Sequence, residues 1–146
     1  MAVLAHEVGH YKRHHLWIGL TFSLISTALM LYIFSLVSSN TAFANVLGSN
    51  VPGFHLSIIS FGILYSPLSL LIGLGMNYLT RLNEYQADRY AAENYDGAFL
   101  ESALKKLSVN NLSNLTPHPY YVFFHYSHPT LLQRLKRLEE IKNNQI

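Results

Sequence analysis

Residues 6 to 10 read His6-Glu7-Val8-Gly9-His10, an H-E-x-x-H pattern. On a helix, positions i and i+4 project from one face, so both imidazoles can grip one divalent ion while Glu7 stands beside it to move a proton. That chemistry is metal-assisted hydrolysis, with zinc as the expected ion. The bland alternative is an amphipathic approach to a membrane helix, with the histidines as interfacial residues. A catalytic zinc also needs a third protein ligand and an open position for water. Glu84 is the candidate, within Asn83-Glu84-Tyr85-Gln86-Ala87-Asp88. Glu84 and Asp88 lie one helical turn apart, so one carboxylate can bind metal while the other accepts the ring N–H of a ligating histidine. Taken alone, this segment reads better as a solvated charged face paired with Arg81 and Arg89. The metal reading therefore depends on whatever brings Glu84 back to His6 and His10.

The composition supplies that element. The chain has 146 residues, enough for a single domain, and is 50% hydrophobic but only 12% charged, about half the charged fraction of ordinary soluble domains. It contains no cysteine, which removes disulfides, thiolate metal sites and cysteine nucleophiles together. A net charge of +2 is far from the clustered basic surface of a nucleic-acid binder, so no nucleic-acid partner is expected. No Asp, Glu, Lys or Arg falls between Arg13 and Arg81. Inside that stretch, Leu16 to Val37 and Phe54 to Met76 are apolar runs, each as long as the roughly 20 helical residues that cross a bilayer core. The first is too long for the apolar region of a signal peptide. SSNTAFANVLGSNVPG between them reads as an exposed loop ending at Pro52 and Gly53, and Pro67 is expected to kink the second span. Two crossings return the chain to the side it left. Lys12, Arg13, Arg81 and Arg89 flank the runs while the loop has no positive charge, which places both chain ends in the cytosol.

The fold class is therefore all-α: a zinc-motif helix in residues 1–15, spans over 16–37 and 54–76, and a cytosolic helical region over 77–146. Asn77 to Asn94 is expected to continue the second span into water, and Gly97 to end that helix. Ala98 to Leu107 reads as another helix, SVNNLSNLTPHPYY as a loop, and Pro129 as the first residue of a terminal helix. In that last helix Leu131, Leu135 and Leu138 share a face. His14 and His15 are expected to face the membrane interface rather than a metal.

AVLAHEVGHYKRHH, two spans, NEYQADRYAAENYD and HYSHPTLLQRLKRL, in that order, resemble the C-terminal catalytic part of the type I CAAX prenyl proteases. These are integral-membrane zinc endopeptidases that trim prenylated proteins. Bacterial membrane proteases of heat-shock quality control share the first two motifs, but the SHPTLLQRL segment is closer to the prenyl-protease type. The resemblance implies one zinc per chain, held by His6, His10 and Glu84, with Glu7 as catalytic base and Asp88 as the acid behind the ligands. It further implies His128 as an oxyanion-stabilising residue and Arg134 as an arginine near the site. By itself His128 ranks no higher than His125 or His118.

The implied activity is hydrolysis of a prenylated Cys-a-a-X protein or peptide after the cysteine, releasing the terminal tripeptide, at the cytosolic side of the endoplasmic reticulum membrane. The bilayer is the second partner, because it can hold the isoprenoid while the peptide reaches the metal. Quality-control cleavage of unprenylated membrane proteins is the alternative. The family surrounds its zinc with seven membrane helices, part of a larger multi-span helical barrel, whereas this chain has two and begins five residues before His6. The chain is thus expected to be a fragment or truncated product, and a catalytically incompetent hairpin is the third reading.

Overall fold

A computed structural model describes residues 1–51 and 53–144, and among these the secondary structure is entirely helical. The chain divides into two compact units: Met1–Gly19 with the chain from Leu74 onward, and Leu20–Gly73.

The Leu20–Gly73 unit contains most of α2 (His15–Ser38), all of α3 (Thr41–Val46) and the first half of α4 (Phe54–Ala91). Phe34 of α2 packs edge-on against Phe61 of α4, ring centres 5.3 Å apart, and Phe61 stacks on Tyr65 at 5.0 Å. Only 6% of the most apolar stretch of either long helix is buried, and Leu24, Ile25, Ile58 and Ile63 all face outward. A core helix of a soluble protein buries such a face, so these two helices are matched to hydrocarbon. α4 runs straight on in sequence through Pro67, where the missing N–H frees one carbonyl a turn earlier.

The segment between the spans differs from the expected loop, because α3 forms inside it. Asn40 is the reason: its side chain accepts the Ala42 N–H at 2.9 Å and caps the helix, turning a loop-forming residue type into a helix start. Gly48, at φ +82, follows. Pro52 lies outside the described residues.

The other unit begins with α1 (Ala2–Lys12), which carries the H-E-x-x-H residues. Arg13 and His14 interrupt it before α2, His14 in the left-handed region at φ +56. After Ala91, α4 loosens into a π-helical turn, Ala92–Asp96, and continues as α5 (Gly97–Asn110). α6 (Pro119–His125) and α7 (Leu131–Asn143) complete the unit. Its apolar core joins Ala2 of α1, Ala91 of α4, Leu100 and Leu104 of α5, and Leu138 of α7.

Three boundaries depart from expectation. Gly97 starts α5 instead of ending a helix; the break falls at Asp96, whose carboxylate accepts the Ala98 N–H at 2.8 Å. α6 replaces part of the expected loop, because Pro119 follows His118, whose ring Nδ1 accepts the Tyr120 N–H. Pro129 stands before α7 and not within it, because Thr130 and Gln133 form a reciprocal capping box that sets the start at Leu131, a stronger start signal than proline.

Gly9, between the two motif histidines, packs directly against Ala87 and Tyr90 of α4. A Cβ built on it would lie 3.0 Å from Ala87 Cα, 3.1 Å from the Ala87 carbonyl oxygen and 3.2 Å from Tyr90 Cβ. Helix propensity alone favours alanine over glycine by about 1 kcal/mol, but overpacking against backbone costs roughly 1–3 kcal/mol. Gly9→Ala is expected to lower the thermal midpoint of the detergent-solubilised chain. Gly97→Ala, whose Cβ would meet only Ala92 at ordinary contact distance, is expected to leave it unchanged or raise it.

Candidate metal centre

The close approach at Gly9 sets the face of α1 carrying His6 and His10 against the face of α4 carrying Glu84. The Nε2 atoms of His6 and His10 are 3.1 Å apart. Glu84 straddles them, with Oε2 3.5 Å from His6 Nε2 and Oε1 3.5 Å from His10 Nε2. An ion bound tetrahedrally at about 2.0–2.1 Å holds its donors about 3.3 Å apart, so the triangle has the right edges for one zinc-sized ion. Its donor chemistry, two imidazoles and a carboxylate, is also that of a catalytic zinc site. His6 and Glu84 are buried, while His10 is partly open, which leaves an approach from one side.

Each histidine is held in one tautomer by a partner behind it. The Nδ1–H of His6 donates to Asp88 Oδ1 at 2.9 Å, leaving its Nε2 lone pair for the ion. His10 is held by a longer relay. Its Nδ1 lies 3.0 Å from His15 Nδ1, and His15 Nε2 lies 3.2 Å from Gln86 Oε1. With the Gln86 oxygen accepting from His15 Nε2–H, His15 Nδ1 must accept from His10 Nδ1–H, and His10 also presents Nε2. Burial, reinforced by the neighbouring His6, pushes the His10 pKa below that of a free histidine, which favours the neutral, metal-binding form. This corrects the expectation for His15: it is buried and braced against His10, whereas His14 is exposed. The left-handed turn at His14 swings His15 back towards His10, and no helical spacing in the sequence signals that.

Asp88 is completely buried. Burial pushes its carboxyl pKa up, but hydrogen bonds from His6 and Arg134 outweigh that and hold it below the ordinary carboxylate range. Arg134 reaches across from α7 with a two-pronged grip, Nε to Oδ2 at 2.7 Å and Nη2 to Oδ1 at 2.6 Å. Its Nη1 lies 3.3 Å from Glu84 Oε2. Two carboxylates against one guanidinium leave a negative charge facing the triangle, complementary to a cation.

The remaining candidates fall as follows. His128 comes to the site, with Nδ1 3.1 Å from Glu84 Oε1 and its side chain 63% exposed. Glu7 is exposed on α1 and makes no hydrogen bond or ion pair among the described residues. His118 caps α6, and His125 packs on the Tyr121 ring with centres 4.6 Å apart, so neither joins the site. Beside His128 and Arg134 opens a cleft of about 390 Å³, lined by Leu104, Leu107, Leu131 and Ser108. The Ser108 hydroxyl there is buried without a hydrogen-bond partner.

Removing a group that orients a ligating histidine typically weakens metal affinity 10- to 100-fold. Asp88→Asn and His15→Phe are each expected to weaken zinc binding by about that range in a competition titration, whereas Glu84→Ala should abolish tight binding. Asp88→Ala should in addition lower the thermal midpoint, since it removes the two-pronged partner of the largely buried Arg134 and leaves that guanidinium only its Glu84 contact.

The sequence profile of Peptidase family M48 matches residues 1–142. The chain is 34% identical to CAAX prenyl protease 1 of Saccharomyces cerevisiae over 96% of its own length and 34% of that protein's. It is 33% identical to the CAAX prenyl protease 1 homolog of Arabidopsis thaliana, over 95% of this chain and 33% of the relative, and 30% identical to the human homolog, over 99% and 31%. The fold is similar to the crystal structure of S. mikatae Ste24p, with a TM-score of 0.83 and 33% identity, covering 94% of this chain and 36% of that one. The chain thus spans about a third of the length of the curated relatives it matches. With nearly its whole length inside the family profile, the chain belongs to peptidase family M48.

Proposed function

We propose that this chain forms the metal-binding part of a membrane zinc endopeptidase that cleaves prenylated CAAX proteins near their C-terminus and releases the terminal tripeptide. The observation that carries the proposal is the triangle of His6, His10 and Glu84, with edges of 3.1, 3.5 and 3.5 Å. His6, His10 and Glu84 hold one zinc per chain, and the relatives named CAAX prenyl protease 1 support the substrate class.

Zinc bound there supplies Lewis acidity for a carbonyl and makes water acidic enough to ionise near neutral pH. The chain's own residues supply the rest. Glu7, whose side chain has no partner among the described residues and which is next to His6 on α1, takes the proton of the attacking water and passes one to the leaving amine. The half-exposed His128 ring offers an N–H to the oxygen on which charge develops. Asp88, Arg134, His15 and Gln86 keep the ligands in one tautomer and one orientation, so that little reorganisation is needed during reaction. The cleft lined by Leu104, Leu107 and Leu131 gives apolar room to the residues on the leaving side of the cut bond.

Membrane placement completes the reading. Lys12 and Arg13 precede the first span and Arg81 and Arg89 follow the second, which supports a site on the cytosolic face, and the resemblance to the prenyl proteases implies the endoplasmic reticulum as the membrane. A lipidated cysteine can stay in hydrocarbon while the bond following it reaches the metal.

Reconstituted in liposomes with zinc, the chain is expected to cleave a farnesylated Cys-a-a-X peptide, and Glu7→Gln to slow cleavage by about 10²–10⁴ while leaving zinc content intact. Unchanged cleavage in Glu7→Gln would remove Glu7 from the role of base. Equal rates on farnesylated and unmodified peptides would remove the prenyl group from recognition and favour general membrane proteolysis.

A further inference from the structure

Downstream of the spans, the surface is not uniformly polar. α5 and α7 display Glu101, Lys105, Lys136, Glu139 and Lys142, yet between Lys106 and Arg134 there is no Asp, Glu, Lys or Arg. That uncharged stretch exposes large apolar side chains. In α6 only Val122 is buried, while Tyr120, Tyr121, Phe123 and Phe124 are all exposed. Before it, Leu112 and Val109 are 92% and 73% exposed. Exposed apolar and aromatic side chains concentrated in one uncharged segment mark an interaction site.

Its position along α4 says which kind. The Asn77 side-chain amide donates to the Phe124 carbonyl at 3.2 Å, and the Arg81 guanidinium donates to the Tyr126 carbonyl at 2.6 Å. Asn77 follows directly on the apolar run that ends at Met76, and Arg81 is the first formal charge after it. The C-terminal end of α6 is therefore tied to the turn at which α4 leaves hydrocarbon. Tyr78 is exposed on that same turn, and Trp17 is exposed where α2 begins. Tyrosine and tryptophan concentrate at the headgroup level of membranes, where one edge of the ring is apolar and the other wet.

We propose that α6 and the turns beside it lie in the headgroup region of the bilayer, a third, non-spanning membrane contact of this chain. Because His128 follows α6 by three residues, this contact holds the His128 side of the metal centre at the membrane surface. The inference rests on α2 and α4 crossing the bilayer and is independent of which peptide is cleaved.

The natural chain has no cysteine, so single labels report without background. Phe123→Cys, Phe124→Cys and Tyr120→Cys, each carrying an environment-sensitive fluorophore, are compared with Glu101→Cys in phosphatidylcholine vesicles, with zinc content measured to verify folding. The α6 labels are expected to emit to the blue of the Glu101 label, to be quenched by lipids with a nitroxide high on the acyl chain, and to lose quenching by aqueous iodide. Three labels allow the reading even where one substitution prevents folding. Iodide reaching the α6 labels as freely as the Glu101 label would overturn the proposal. Shielding from both iodide and nitroxide lipid would also overturn it, because polypeptide and not lipid would then cover the surface. Cleavage is not read, so failure here is distinct from failure of the proposed activity.

Discussion

The missing side chain of Gly9 is the constraint on which the metal centre depends. Glu84 of α4 stands 3.5 Å from His6 and from His10 of α1 where the two helix backbones approach closely, and any Cβ at Gly9 meets Ala87 backbone at about 3.0 Å. Ala87 is itself small and wholly buried, so the contact is made by the two smallest side chains available to a helix. Larger residues would separate α1 from α4, and Glu84 would then sit beside the histidines without sharing an ion with them. The glycine inside the motif is thus a packing element in a sequence usually read for its ligands.

Around that contact the polar groups are arranged in series. Asp88 accepts from His6, Arg134 grips Asp88 with two nitrogens, and Gln86 and His15 do for His10 what Asp88 does for His6. Such a network is costly when incomplete, because each buried charge depends on its neighbour for replacement of lost water. α4 contributes Glu84, Gln86, Ala87 and Asp88 within little more than one turn, so a single helical segment supplies a candidate ligand, a relay member, the packing surface and the buried acid. The apolar core of Ala2, Ala91, Leu100, Leu104 and Leu138 anchors α1, α5 and α7 to the end of that segment, and it brings Arg134 within reach.

Sequence reading reached the parts governed by short, strong signals. Residues i and i+4 share a helix face whatever the tertiary structure, so His6 with His10 and Glu84 with Asp88 were legible as pairs. The two spans were legible because hydrocarbon tolerates so few charges. Their return to the starting side made Glu84 plausible as a third ligand, whereas His128 and Arg134 entered only through resemblance to a family. What stayed hidden depends on local competition or long-range contact. His15 reaches His10 through a left-handed residue, a conformation that sterics disfavour for histidine and that spacing does not announce. α3 and α6 grow from capping by Asn40 and His118 inside segments whose composition reads as loop. α7 starts at Leu131 and not at Pro129, because a proline is a weaker start signal than the reciprocal cap formed by Thr130 and Gln133.

The segment carrying His128 is pinned on both sides. Arg81 holds the Tyr126 carbonyl, and the Thr130 capping box holds the start of α7, so only residues 127–129 lie between two fixed points, one of them the φ-locked Pro129. Backbone freedom that a catalytic loop ordinarily loses on meeting its substrate is already spent when the chain folds. His128 can turn about its side-chain bonds in the opening above Glu84 but cannot wander from it, and this makes its segment a short bridge between two anchored piers instead of a flap.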